Sequence, residues 1–164
     1  MAAEPAHEPA PAGGGPVPLA EAIAGWMGAQ PGHAWEVALP AGLELLTANQ
    51  RLHWAVRNRV TGQLQGHAWQ AASRARVPRL VRAVIVGEYQ PPDRRRRDGE
   101  NWAPTLKACI DGIKDQRYGS RVAQVRVVAD DDSGTVLAAP CVIGPVYPRG
   151  RMVLRIMGIP AGHD

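Results

Sequence analysis

The residues best equipped for chemistry lie in one stretch, Pro92-Asp93-Arg94-Arg95-Arg96-Arg97-Asp98-Gly99-Glu100-Asn101, where a run of guanidinium groups leads straight into two carboxylates. In an extended chain, side chains two apart project to the same side, roughly 6–7 Å apart along the backbone, so Asp98 and Glu100 can face one cation. Oxygen ligands of this kind suit magnesium or manganese, which keep open positions for water and a phosphate oxygen. The neighbouring arginines suit the phosphates themselves. A solvated loop with local Arg to Asp pairing, worth about 0–1 kcal/mol per exposed pair, would account for the same composition without a site.

A third carboxylate is available from Asp130-Asp131-Asp132-Ser133-Gly134, a run that reads equally well as an acidic turn between strands. Position twelve counted from Asp130 is Cys141, not the Glu that an EF-hand calcium loop requires. Three acids meeting in one place would repel one another unless a cation neutralised them. Lys107 precedes Asp111 by four residues and Lys114 by seven, which makes it either half of a surface ion pair or a cation able to stabilise charge developing on a phosphate.

The elements that must carry these residues follow from periodicity. Strands are predicted at Trp35 to Leu39, Val81 to Tyr89, Val122 to Val128, Thr135 to Ile143 and Arg151 to Ile159. A helix is predicted over about 64–76, with Leu64, Trp69 and Ala72 inward and Pro78 beyond its end. Asn101 and Pro104 mark the start of a second helix, along which Leu106, Ile110 and Ile113 recur on one face. The order β, α, β, α, β, β, β implies an α/β (α+β) fold, one domain over residues 35–160 with a mixed sheet flanked by helices on one or both faces. Residues 1–34 form a tail of Ala, Pro, Gly and Glu expected to be disordered, with a short amphipathic helix over 18–29 through Leu19, Ile23, Trp26 and Met27.

Composition narrows the function classes. The 164 residues leave room for one core of ordinary size. Cys109 and Cys141 lack a Cys or His at ligand spacing, so a zinc site and a disulfide framework are both excluded and the pair reads as buried apolar residues. Residues 1–50 hold five acids (Glu4, Glu8, Glu21, Glu36, Glu44) and no Lys or Arg, so the other 10 acids and all 19 bases give the rest of the chain +9 against −5. A body that basic attracts polyanions, of which nucleic acid is the usual one, and a basic surface that serves only solubility would have the same composition. The apolar stretch from Val136 to Tyr147 is too short to span a bilayer and is broken by Pro140 and Pro145. The N-terminus lacks the basic start of a signal peptide, and a cytoplasmic protein with no membrane association is expected.

Taken together, Asp98-x-Glu100-Asn101 after the arginines, Lys107-x-x-x-Asp111-Gly112-Ile113 and then Asp130-Asp131 resemble the signature of RusA-type crossover-junction endonucleases. Asn101-Trp102-Ala103-Pro104-Thr105-Leu106-Lys107-Ala108 is similar to the Asn-x-x-Pro-Thr-x-Lys-Ala of that family's phage-borne branch. The resemblance covers roughly residues 35–159, including the Asn49 loop after the first strand. It implies a homodimer that hydrolyses phosphodiesters in four-way DNA junctions, with magnesium or manganese as cofactor. Carried across, Asp98, Glu100 and Asp131 match the catalytic acids and metal ligands, Asp130 their neighbour, and Lys107 the helix lysine. Arg94, Arg95, Arg96 and Arg97 would hold DNA phosphates, with Asn49, Arg51 and His53 adding contacts or serving only as loop caps. Glu100 stands where the family pattern usually has Asp, and the segment from Asp111 to Asp130 is longer than that pattern, which leaves Asp130, Asp131 and Asp132 all open as the third ligand. A protein that binds branched DNA without cutting it, and an enzyme acting on other branched or flapped DNA, are the alternative readings.

Overall fold

The computed structural model describes residues 33–118 and 121–162, so nearly all of the tail expected over 1–34, including the helix over 18–29, lies outside the described residues. A pair of long, largely buried strands forms the centre. β2 (Leu80–Gln90) and β6 (Arg151–Pro160) pair antiparallel, and the register partners Ile85 and Ile156 are fully buried. β1 (Ala34–Ala38) lies antiparallel outside β6, and β5 (Val136–Ile143) lies parallel to β2, which gives a mixed sheet of order β1-β6-β2-β5. A parallel pair cannot be joined by a tight turn, so the chain between β2 and β5 must cross over, and a helix does the crossing.

Two helices, α1 (Trp54–Arg74) and α2 (Ala103–Ile113), join the core built on Val37, Ala83, Ile85, Leu154 and Ile156. Leu106, Ile110 and Ile113 are buried as their spacing predicts. The helices approach closely at Gly112, where a Cβ would come within 2.4 Å of the Gln65 carbonyl oxygen. Helix α1 begins at Trp54 rather than near residue 64. Its buried stripe of Val60, Leu64, Ala68, Ala71 and Ala72 is narrow and built mostly of small residues. Gly62, Gly66 and the polar first turns dilute the pattern that marks a helix in sequence, whereas the His53 Nδ1, accepting from the Ala55 N–H at 3.3 Å, supplies the cap. Among the described residues no helix is long and apolar enough to cross a membrane.

The single strand expected over 122–128 is borne out only over 122–124. β3 (Gln116–Tyr118) and β4 (Arg121–Gln124) form a separate antiparallel pair, and the chain then runs as a strap whose Val128 makes one parallel bridge with Lys114. Val127 and Val128 are both buried although adjacent, which breaks the alternation a half-buried strand requires. Asp115 clamps the strap. Its carboxylate pairs with the Arg79 guanidinium, Nη2 to Oδ2 2.9 Å, and accepts from the Arg126 N–H at 2.8 Å, while its own N–H donates to the Val128 carbonyl at 2.9 Å.

The Arg79 guanidinium, joined by the Arg126 N–H, holds the Asp115 carboxyl below the usual carboxylate range. The stability this supplies is fully present above the unfolded-state pKa near 3.9 and is lost as pH falls through the depressed folded value. Asp115→Asn is therefore expected to cost about 1–3 kcal/mol at pH 7, because Arg79 keeps part of its hydration, and to flatten the loss of stability below about pH 4. Urea denaturation of both proteins at pH 7 and pH 3 checks this; an equal stability gap at both values would contradict it.

Candidate functional site

The acidic loop owes its position to one missing side chain. Asp98 starts a short 3-10 turn (Gly99–Trp102) by accepting from the Glu100 N–H at 3.0 Å. Gly99 then lies against β5, where a Cβ would stand 2.0 Å from the Cys141 carbonyl oxygen, closer than any side chain permits. The loop after β1 is fastened to the same turn: the Ala48 N–H donates to the Asn101 carbonyl at 2.8 Å, and Asn49 Nδ2 donates to Asn101 Oδ1 at 2.9 Å. Deeper in, the fully buried Thr105 hydroxyl accepts from the Leu46 N–H at 2.8 Å and donates to the Leu46 carbonyl at 2.7 Å.

Asp98 and Glu100 are both exposed, and neither forms an ion pair among the described residues. Glu100 and Lys107 together line a cavity of about 500 Å³, whose remaining walls are apolar residues of α2 and β5, among them Leu106, Ile110, Ala138 and Pro140. Lys107 in turn contacts Asp131, so it links the cavity to the third acid. Asp131 is held by two ammonium groups, since Lys114 Nζ reaches its Oδ1 at 3.0 Å. Asp111 is shared by the same two lysines, at 3.1 Å from Lys107 and 3.2 Å from Lys114.

These pairings decide protonation. Lys107, and after it Lys114, holds the Asp131 carboxyl far below the usual range. Contact with Asp131 raises the Lys107 pKa against the opposing pull of burial, with Asp111 adding to the rise. Burial pulls Lys114 down, but Asp131 and Asp111 outweigh it. Both lysines stay cationic at neutral pH, so neither serves as a general base. Burial pushes the Cys141 thiol up to about 11 and the Cys109 thiol up to about 12, which removes a thiolate nucleophile from consideration.

The residues singled out in sequence are thus brought together in part. Asp98, Glu100, Asn49 and Lys107 gather on or beside the 3-10 turn and the start of α2. Asp131 instead sits beside Lys107 and Lys114, and Asp130 turns its carboxylate to the Asp131 N–H at 2.9 Å. Asp132 caps the following turn by accepting from Gly134 and Thr135, at 2.8 and 3.0 Å. Among the described residues no three His, Cys, Asp or Glu side chains gather as a metal-holding group. Of the arginine run, Arg94, Arg95 and Arg96 are exposed, but Arg97 folds back on the loop. Its Nη1 lies 2.8 Å from Asp93 Oδ1 and donates to the Asp93 and Arg95 carbonyls, so it builds the loop instead of projecting from it. Arg51 is exposed, and His53 is occupied as the α1 cap. Lys114 is the partner that sequence reasoning passed over. Its spacing of three from Asp111 was visible, but its tie to Asp131 depends on the strap.

No known protein-family model matches this chain, and no curated protein matches it in sequence.

Gly99→Ala should shift the acidic loop off β5 and destabilise the fold by about 1–3 kcal/mol, the usual cost of forcing volume into close packing. Chemical denaturation measures it, and a change under about 0.5 kcal/mol, within the ordinary surface range, would show that the loop is not pressed onto the strand.

Proposed function

We propose that this chain is a magnesium- or manganese-dependent, structure-selective DNA endonuclease of the RusA type, acting as a homodimer on four-way junctions or related branched DNA. The observation that carries the reading is a pair of exposed carboxylates that form no ion pair among the described residues: Asp98, one oxygen of which caps the turn, and Glu100, which lines a cavity together with Lys107; both follow the exposed Arg94, Arg95 and Arg96 in the chain. Two carboxylates with room for water and a substrate phosphate are a common donor set for magnesium, and Asp98 and Glu100 would hold it. When bound, the ion polarises phosphoryl oxygens and lowers the pKa of an attacking water. Asp131, neutralised by its lysines, does not fit as a third ligand in this arrangement, and its role here is to position Lys107.

The chain's own residues supply the rest. Arg94, Arg95 and Arg96 offer unspecific phosphate contacts that weaken with salt. Lys107, always charged and at the cavity rim, stabilises negative charge as it develops on the phosphate. Selectivity for a branch would come from the fixed spacing of two sites in a dimer. A non-cutting, branch-binding protein is the second reading, favoured by the absence of a three-carboxylate group among the described residues.

Incubating the protein with an end-labelled synthetic four-way junction and magnesium or manganese separates the two. Paired symmetric nicks are expected, abolished by Asp98→Asn or Glu100→Gln and slowed by about 10²-fold in Lys107→Met. Asp131→Asn should slow cutting to an extent comparable with Lys107→Met without abolishing it. Tight binding with no nick in either ion would reject hydrolysis. Arg94→Ala and Arg96→Ala should each reduce the slope of log affinity against log salt by about one.

A further inference from the structure

A second hollow, of about 260 Å³, is lined by the loop after β1, through Thr47 and Gln50, and by Tyr89, Trp102 and Arg149. Tyr89 and Trp102 are stacked with ring centroids 3.7 Å apart. The Trp102 indole N–H is buried without a hydrogen-bond partner, and among the described residues it is the one buried side-chain polar atom in that condition. Such groups call for an explanation, and this one lies in the wall of the hollow, closed to solvent. Arg149, which forms no ion pair among the described residues, sits in the left-handed region at φ 66°. The turn around it is held by Gly42 and Gly150, joined by a 2.8 Å bond from the Gly42 N–H to the Gly150 carbonyl. A bulky residue in that backbone conformation is strained, and strain of this kind gathers at binding sites.

We infer that this hollow receives one unpaired nucleobase of the DNA. The size is below that of drug-sized pockets and suits a single ring system. Aromatic walls give a base its stacking surface, and a guanidinium at the rim can meet a base acceptor or the adjoining phosphate. A bare phosphate fits less well, because the Glu44 carboxylate also lines the hollow, held 3.0 Å from Arg59. That carboxylate can instead accept from a base amino group. The placement ties base and cleavage together: Trp102 follows Glu100 by two residues, and the loop lining the hollow is bonded to Asn101 through Ala48 and Asn49. A base seated there fixes the register of its strand against Asp98 and Glu100. The inference rests on the proposed DNA-binding reading for its ligand class but not on hydrolysis.

The test uses the full chain, a bulged duplex carrying one unpaired 2-aminopurine, and the same duplex with that base paired. Binding should quench the unpaired probe several-fold and leave the paired probe nearly unchanged. Trp54, 69% exposed, is the most exposed tryptophan among the described residues, so Trp54→Ala must retain the effect. Trp102→Leu should lose it. Should Trp102→Leu fail to fold, Arg149→Gly removes the guanidinium at a position whose backbone already favours glycine, and affinity for the bulged duplex relative to the paired one should fall roughly tenfold. Wild-type binding without quenching, or quenching that survives in Arg149→Gly with affinity unchanged, overturns the inference and leaves the nuclease reading standing. Quenching without nicks in the junction assay supports the inference and removes hydrolysis. No binding to any DNA defeats both.

Discussion

The parallel pairing of β2 with β5 is the constraint from which the rest of the molecule follows. Two parallel neighbours require a crossover, and here the crossing segment holds the arginine run, both exposed acids, Lys107, and the strap that ends at Asp131. Because α2 runs back from the acidic loop toward the start of β5, Glu100 stands before its first turn and Asp131 lies beside residues further along it. At about 1.5 Å of rise per residue the helix spaces the two acids apart, and Lys107, which contacts Asp131, lines the cavity that Glu100 also lines. The division of the acids into a pair without ion pairs among the described residues and a neutralised third is therefore a property of the topology.

Electrostatics then completes what topology began. Lys107, Lys114, Asp111 and Asp131 balance one another, so this end of the helix contributes little net field while its lysines remain charged. Along the loop before α2, Asp98, Glu100, Arg94 and Arg96 form no ion pair among the described residues, whereas Arg95 and Arg97 both face Asp93. An anionic strand steered by those arginines would meet the carboxylates only with a cation between them.

Close backbone approach is the third ingredient. Gly99 against Cys141, Gly112 against Gln65 and Gly87, where a Cβ would stand 2.6 Å from the Cys141 sulfur, let loop, helix and strand pack without side chains between them. Thr105 serves the same end by a different route, since its buried hydroxyl both donates to and accepts from Leu46 and so sets the loop after β1 against α2. Rigid seating of both loops makes the two hollows beside them defined cavities.

Local pattern alone determined a good share of this protein. The apolar runs of β2, β5 and β6, the three-turn stripe of α2 and the burial of both cysteines are consequences of composition and period, and they appear within a residue or two of where the sequence places them. Where the pattern was weak the reading erred: the polar first turns hid the start of α1, and the strand read over 122–128 holds only through Gln124, since the adjacent burial of Val127 and Val128 breaks the alternation. The candidate acids were legible by type and spacing, as was the Lys107 to Asp111 pair on one helix face. Which acid met which cation was not, because Lys114 reaches Asp131 only through the strap clamped by Asp115, and Tyr89 stacks on Trp102 only through the turn after β2. Contacts between residues far apart in the chain depend on the crossover and on the register of β2 with β5, and no periodicity along the chain encodes those distances.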